Sequence, residues 1–163
     1  MQYYLFLFVA GSVLGYCLEF VHNFFNKNSK RKNPGLLYGP YLPIYGFGFL
    51  LFYSIFATSW PLLIKFLLFT CAATGIELLA GLIYIELFKV MLWDYSHKRF
   101  NFRGLICLQF SIYWLILSIV FYNFVYPYVD FSFANGFMWQ LIIFIVMVVM
   151  IIDFIIANIK KIK

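Results

Sequence analysis

Glu19 and Glu77 stand where a carboxylate is costly, each inside a run of apolar residues, GSVLGYCLEFV and ATGIELLAGLI. An ionised acid at mid-membrane costs roughly 2.5–3.5 kcal/mol on insertion scales, so each acid needs a reason to be there. Gly11, Gly15, Glu19 and Asn23 recur at four-residue spacing and share one face of a helix. His22 lies one turn from Glu19. Thr70, Thr74, Glu77 and Gly81 form a second polar stripe at helical spacing. The glycines allow another helix to approach closely. The chemistry open to such acids is the binding of a cation, a proton or a polar substrate group. The plainer reading of Glu77 is a neutral, hydrogen-bonded packing residue facing the bundle interior. Glu86 is expected to anchor at the membrane boundary and pair with Lys89, and Asp153 to meet a basic residue of the C-terminal tail.

Other reactive side chains are sparse. Asp94, His97 and Cys107, with Glu19, supply acid–base or nucleophile types, yet no spacing among them matches a catalytic signature, and His97 beside Lys98 and Arg99 reads as a solvated loop residue. Cys17, Cys71 and Cys107 are too few and too widely spaced for a metal site or a disulfide framework, so packing is the expected role of each. No metal and no cofactor are expected. Nor does G-x-x-x-x-G-K-[ST] occur, so the chain has no loop of its own to cradle ATP phosphates.

The elements that position these residues follow from composition. The 163 residues are 65% hydrophobic, 24% aromatic and only 11% charged, more apolar surface than a soluble domain of this size can bury. Apolar stretches at about 3–25, 43–59, 61–88, 104–126 and 136–158 each approach the ~20 residues that cross a bilayer as helix. They are too long and too uniformly apolar for barrel strands. The expected fold is all-α: one integral membrane domain over 1–163, a polytopic bundle of five transmembrane helices. The fourth span carries Gln109, Ser111, Trp114 and Ser118, the last three on one face. The fifth is nearly featureless and reads as peripheral.

Eleven of the twelve basic residues fall in three places: 27–32, 89–103 and 160–163, with Lys65 the exception. Five spans put those places on one side, the cytoplasmic one, leaving the N-terminus outside and the C-terminus cytoplasmic. The net charge of +6 is thus a signal of topology and of attraction to anionic lipid rather than to nucleic acid. The first span lacks a basic leading region and is not read as a cleavable signal peptide.

The segment NPGLLYGPYLPIYGFG (33–48) gathers prolines and glycines at the start of the second span. Pro34, Pro40 and Pro43 stop helix through the loop, and Pro43 suits the first turn of the helix that follows. A second loop, LWDYSHKRFNFRG (92–104), leads to the fourth span. Two helix N-termini with nearby Lys and Arg could cradle an anionic group, with Glu19 reaching the same region; equally, the two loops could simply pack together. A helix bearing a glutamate, a basic loop ending in NPGLL or NFRGLI, then another helix occurs twice, as in a parallel repeat with an added fifth helix.

GSVLGYCLE, NPGLLYGPYLPIYGFG, LWDYS and NFRGLICL, in that order, resemble the bacterial ABC-transporter permease family of the CmpB type, a type IV ABC-transporter membrane protein, over roughly 11–118. The resemblance implies family site positions at Gly15, Glu19, Asn33, Gly35, Gly39, Pro40, Pro43, Tyr45, Gly46, Glu77, Trp93, Asp94, Tyr95, Asn101, Gly104 and Cys107. The chain departs from the family pattern at Pro34, where Arg is usual, at Leu42, which replaces a Cys, and at Leu92, which replaces the first Trp of a pair. It implies a multi-pass protein of the bacterial cytoplasmic membrane, not itself an enzyme, serving transport with a separate ATPase subunit. Five spans are few for a permease, so a homo-oligomer or a second membrane subunit would be needed to enclose a path. The alternatives are a membrane-embedded enzyme acting on lipid or headgroup substrates, and a non-catalytic scaffold or regulator.

Overall fold

The computed structural model describes residues 2–25, 37–124, 126–128 and 136–162. Five α-helices carry the five apolar runs: α1 (Gln2–Phe25), α2 (Pro43–Phe56), α3 (Leu62–Phe88), α4 (Leu108–Phe124) and α5 (Phe137–Ile162). A two-residue antiparallel pair, β1 (Asn101–Phe102) with β2 (Ile106–Cys107), precedes α4. Three helices are long and apolar enough to cross a bilayer: Tyr3–Phe24, Leu62–Phe88 and Phe137–Ile159, whereas α2 and α4 are shorter apolar helices of 14 and 17 residues. Most of their outer side chains are large and apolar, for example Leu63, Leu79 and Phe144, all more than half exposed. Lipid is the solvent that such a surface suits. The protein is a membrane protein.

Two helices are shorter than their apolar runs, and each for a local reason. Helix α2 stops at Phe56 because its last carbonyls find other donors. Thr58 bonds Ile55 O through both its amide (3.2 Å) and its hydroxyl (2.7 Å), and Lys65 Nζ reaches Phe56 O at 3.1 Å. That places a cation at a helix C-terminus, where the aligned peptide dipoles favour it, and gives the one basic residue outside the three basic clusters a structural role. Helix α4 starts at Leu108 rather than 104, because Arg103 (φ 53°) and Gly104 (φ 71°) turn the chain back into β2.

The chain forms two compact units, residues 1–49 with 131–163, and residues 50–130, so the division falls within α2. In the first, α1 packs against α5, and Leu37, Tyr41, Met150 and Ala157 form a buried cluster flanked by Phe8, Val9 and Val146. In the second, α3 runs along α4. Phe69, Ala73, Glu77 and Gly81 are the buried residues of α3 and recur on a single face. Phe52 stacks on Phe56 (centroids 4.0 Å apart) and meets Phe69 and Phe121 edge-on, at the centre of an aromatic cluster.

Candidate functional site

In the first unit, the glycine face of α1 receives the start of α2. A methyl group at Gly11 would lie 2.6 Å from Phe49 Cγ, and one at Gly15 would overlap the ring of Tyr45. Gly46 returns the favour, since a methyl there would sit 2.6 Å from Phe8 O on α1. The close approach is what lets Tyr45 Oη donate to Glu19 Oε1 at 2.7 Å. His22 Nδ1 lies 4.0 Å from Glu19 Oε2, and the Glu19 side chain remains 27% exposed. Pro43 is the first residue of α2, and the Leu42 amide ahead of it donates to Ser12 O at 2.8 Å.

A second carboxylate organises the loop before α2. Asp153 on α5 accepts from the Tyr38 amide (3.1 Å), the Gly39 amide (2.8 Å) and Tyr41 Oη (2.6 Å). Both Asp153 and Tyr41 are buried. Burial, and then the hydrogen bond to Asp153, push the Tyr41 phenol well above its usual range. Any side chain at Gly39 would collide with the Tyr41 ring, so that glycine is needed for the turn to close. Pro40 is exposed. Helix α5 is therefore not a bystander: its lone mid-helix acid shapes the 37–42 turn. Asn33 and Gly35 lie outside the described residues.

In the second unit Glu77 is 5% exposed. Tyr95 Oη donates to its Oε1 at 3.0 Å and Trp114 Nε1 to its Oε2 at 3.2 Å. One turn away, Thr74 Oγ1 bonds Ser111 Oγ at 3.0 Å, so the polar stripe of α3 meets the Ser111–Trp114–Ser118 face of α4. Tyr95 is held in place by stacking on Phe110 (4.4 Å) and by its amide on Gly104 O at 2.8 Å. Trp93 Nε1 donates to Leu105 O at 2.7 Å. Leu105, almost fully buried, fills the space beside Gly81, where a methyl group would lie 2.9 Å away.

The remaining family positions build the turn that carries these groups. Asp94 Oδ1 accepts the Ser96 amide at 2.8 Å, and this bond holds its carboxyl below the ordinary range. Asn101 is the internal brace: its Nδ2 bonds Ser96 O and Lys98 O, and its Oδ1 accepts the Gly104 amide. Cys107 is buried, and its carbonyl accepts Ser111 Oγ at 3.3 Å. By contrast Cys17 and Cys71 are exposed on their helices, so packing within the chain is not their role. The Leu108 amide at the start of α4 is taken by Phe100 O at 3.2 Å, which removes one donor from the expected anion cradle. Glu86 and Lys89 are both exposed and form no ion pair. Lys89 has left the helix with φ 53°, so the spacing that would bring the two together is lost.

An aromatic donor to each glutamate stands at the same interval after a loop glycine. Tyr45 follows Gly35 by the same interval as Trp114 follows Gly104, and each donates to the glutamate of the preceding long helix. This agreement supports the internal repeat seen in the sequence.

The model of the family described as "Putative ABC-transporter type IV" (ABC_trans_CmpB) matches residues 6–158. The chain belongs to this family. No curated protein matches the chain, and no solved structure does. The match includes α5 up to Asn158 and so covers Asp153 as well as both glutamates. Among the described residues no cluster of three or more His, Cys, Asp or Glu side chains could hold a metal ion. What the CmpB-type chain offers chemically is four carboxylates among the described residues, Glu19, Glu77, Asp94 and Asp153, each fixed by neutral aromatic or amide donors.

Proposed function

We propose that this chain is the membrane subunit of an ABC-type transporter, embedded in a bacterial cytoplasmic membrane and driven by an ATPase on a separate polypeptide. The family match over 6–158 carries this reading. The chain has no phosphate-cradling G-x-x-x-x-G-K-[ST] sequence, which supports placing ATP hydrolysis on another polypeptide. Five spans are read, with the N-terminus outside, because that arrangement gathers eleven of twelve basic residues on one side. It asks α2 and α4 to cross with about 21 Å and about 26 Å of helix, against ~30 Å of hydrocarbon. The residues flanking them, including the 101–107 hairpin, make up the difference, together with local thinning of the bilayer.

In this reading the glutamate–aromatic pairs, one in each unit, supply the polar groups that a substrate meets. The fixed turn at 37–42 is the element on which the ATPase docks. A homo-oligomer or a second membrane subunit completes the path. Affinity purification of the tagged chain from native membranes in mild detergent tests the proposal. Recovery of a polypeptide bearing a phosphate-binding loop is expected; repeated recovery of this chain alone would overturn it.

A further inference from the structure

The turn between α3 and α4 ends in a tip whose side chains point away from the unit that carries it. Phe100 is 74% exposed and Phe102 54% exposed. The Arg99 guanidinium lies 5.7 Å from the Phe100 ring centre, and Arg103 the same distance from Phe102. Phe100 (φ 51°) and Arg103 (φ 53°) both adopt the left-handed backbone conformation, which is unfavourable for bulky residues and tends to persist where function requires it. The interior of the turn is already satisfied by Asn101 and by the Leu108 amide on Phe100 O. The backbone is therefore a fixed platform, and the exposed aromatic and cationic groups are what it presents.

We infer that this tip, Lys98–Arg103, binds the anionic phospholipid surface of the bilayer, with Phe100 and Phe102 at the acyl boundary and Arg99 and Arg103 on the lipid phosphates. Two further observations name lipid as the occupant. The connection 89–107 holds four basic residues and one acid, and that acid, Asp94, is occupied by the Ser96 amide, so the tip complements negative charge. Both ends of the connection run directly into apolar helices, α3 ending at Phe88 and α4 starting at Leu108. That confines the tip to the reach of the membrane surface. Arginines paired with phenylalanines suit that boundary, where one group needs water and phosphate and the other hydrocarbon.

The inference does not depend on ATPase docking, so the two proposals can fail separately. The full chain in mild detergent is titrated with phosphatidylglycerol or phosphatidylcholine of equal acyl length, and bound lipid is followed by native mass spectrometry. Arg99→Gln with Arg103→Gln should weaken the tightest phosphatidylglycerol binding about thirty-fold and leave phosphatidylcholine unchanged. Lysine at both positions should restore most of it, and Phe100→Ser with Phe102→Ser should weaken both lipids. Thermal unfolding midpoints verify that each variant folds. Wild-type affinity for phosphatidylglycerol in the double Arg→Gln variant would overturn the inference, as would unchanged lipid binding alongside loss of a co-purifying protein, which would give the surface to that protein.

Discussion

Removing the Asp153 carboxylate should unfasten the 37–42 turn from α5. The Asp153→Ala change strands three donors at once: the amides of Tyr38 and Gly39 and the hydroxyl of Tyr41, now bonded at 3.1, 2.8 and 2.6 Å. A hydrogen bond to a charged group is worth about 1.5–3 kcal/mol, and a buried donor left unpaired costs about 1–3 kcal/mol. Tyr41 is 6% exposed and must bear that cost in full, while the Tyr38 residue is 63% exposed and its amide can turn to water or headgroups. The sum is about 3–5 kcal/mol for Asp153→Ala. Asp153→Asn keeps one acceptor oxygen and should lose about 1–2 kcal/mol, as should Tyr41→Phe, which deletes a single bond. The assay is reversible unfolding of the full chain in mixed micelles, with the double variant Asp153→Asn/Tyr41→Phe closing a cycle. The two changes should be non-additive, because they share one bond. If Asp153→Ala lies within 0.5 kcal/mol of wild type, the turn is not held from α5 and the reasoning fails.

Gly15→Ala should destabilise by about 1–3 kcal/mol through overpacking, since the added methyl overlaps the Tyr45 ring that bonds Glu19, whereas Gly75→Ala, with nothing within 4 Å, should be neutral or stabilising; thermal unfolding compares the two. Glu77→Ala should cost more stability than Glu19→Ala, by about 1–2 kcal/mol, because it removes the acceptor of two hydrogen bonds at a 5% exposed residue while Glu19 accepts the Tyr45 hydroxyl from a part-exposed side chain; the same unfolding assay decides it. Asp94 has its pKa lowered, first by the Ser96 amide, so its contribution to the turn is complete above the unfolded value of 3.8 and is lost as pH falls through the lower folded value. Trp93 fluorescence should therefore report loosening on acidification below that range, and Asp94→Asn, which keeps the turn's acceptor, should abolish the step.

The five helices were legible because each apolar run is a single uninterrupted signal and lipid leaves helix as the only economical backbone. The stripes on α1, α3 and α4 were legible for the same geometric reason: small and polar residues at four-residue spacing have to share a face, and Gly11, Gly15, Thr74, Ser111 and Trp114 do meet neighbours there. Partners were harder. Nothing in the local pattern says that Tyr45, rather than another of the thirteen tyrosines, reaches Glu19, because that depends on how closely two glycine-bearing helices cross. The second strand of the 101–107 hairpin was hidden because Leu105, Ile106 and Cys107 are apolar and read as the start of the fourth span until the left-handed Arg103 and Gly104 are known. Asp153 was read as a partner for the basic tail, whose side chains lie outside the described residues, and its donors from the 37–42 turn were not anticipated. The available signal was its isolation, since one acid in a helix otherwise rich in Ile, Val and Met has to be compensated by some partner. The Lys89 backbone broke the expected pairing with Glu86, and no spacing rule anticipates a left-handed cap that is not glycine.

A transport role for this chain requires that ATP hydrolysis belong to a separate chain bound to it. Hydrolysis should be measured in protein purified through a tag on this chain, once from native membranes and once after expression of the chain alone. Activity in the first preparation and none in the second is the predicted result. Activity in neither, or activity from the chain alone, would contradict it.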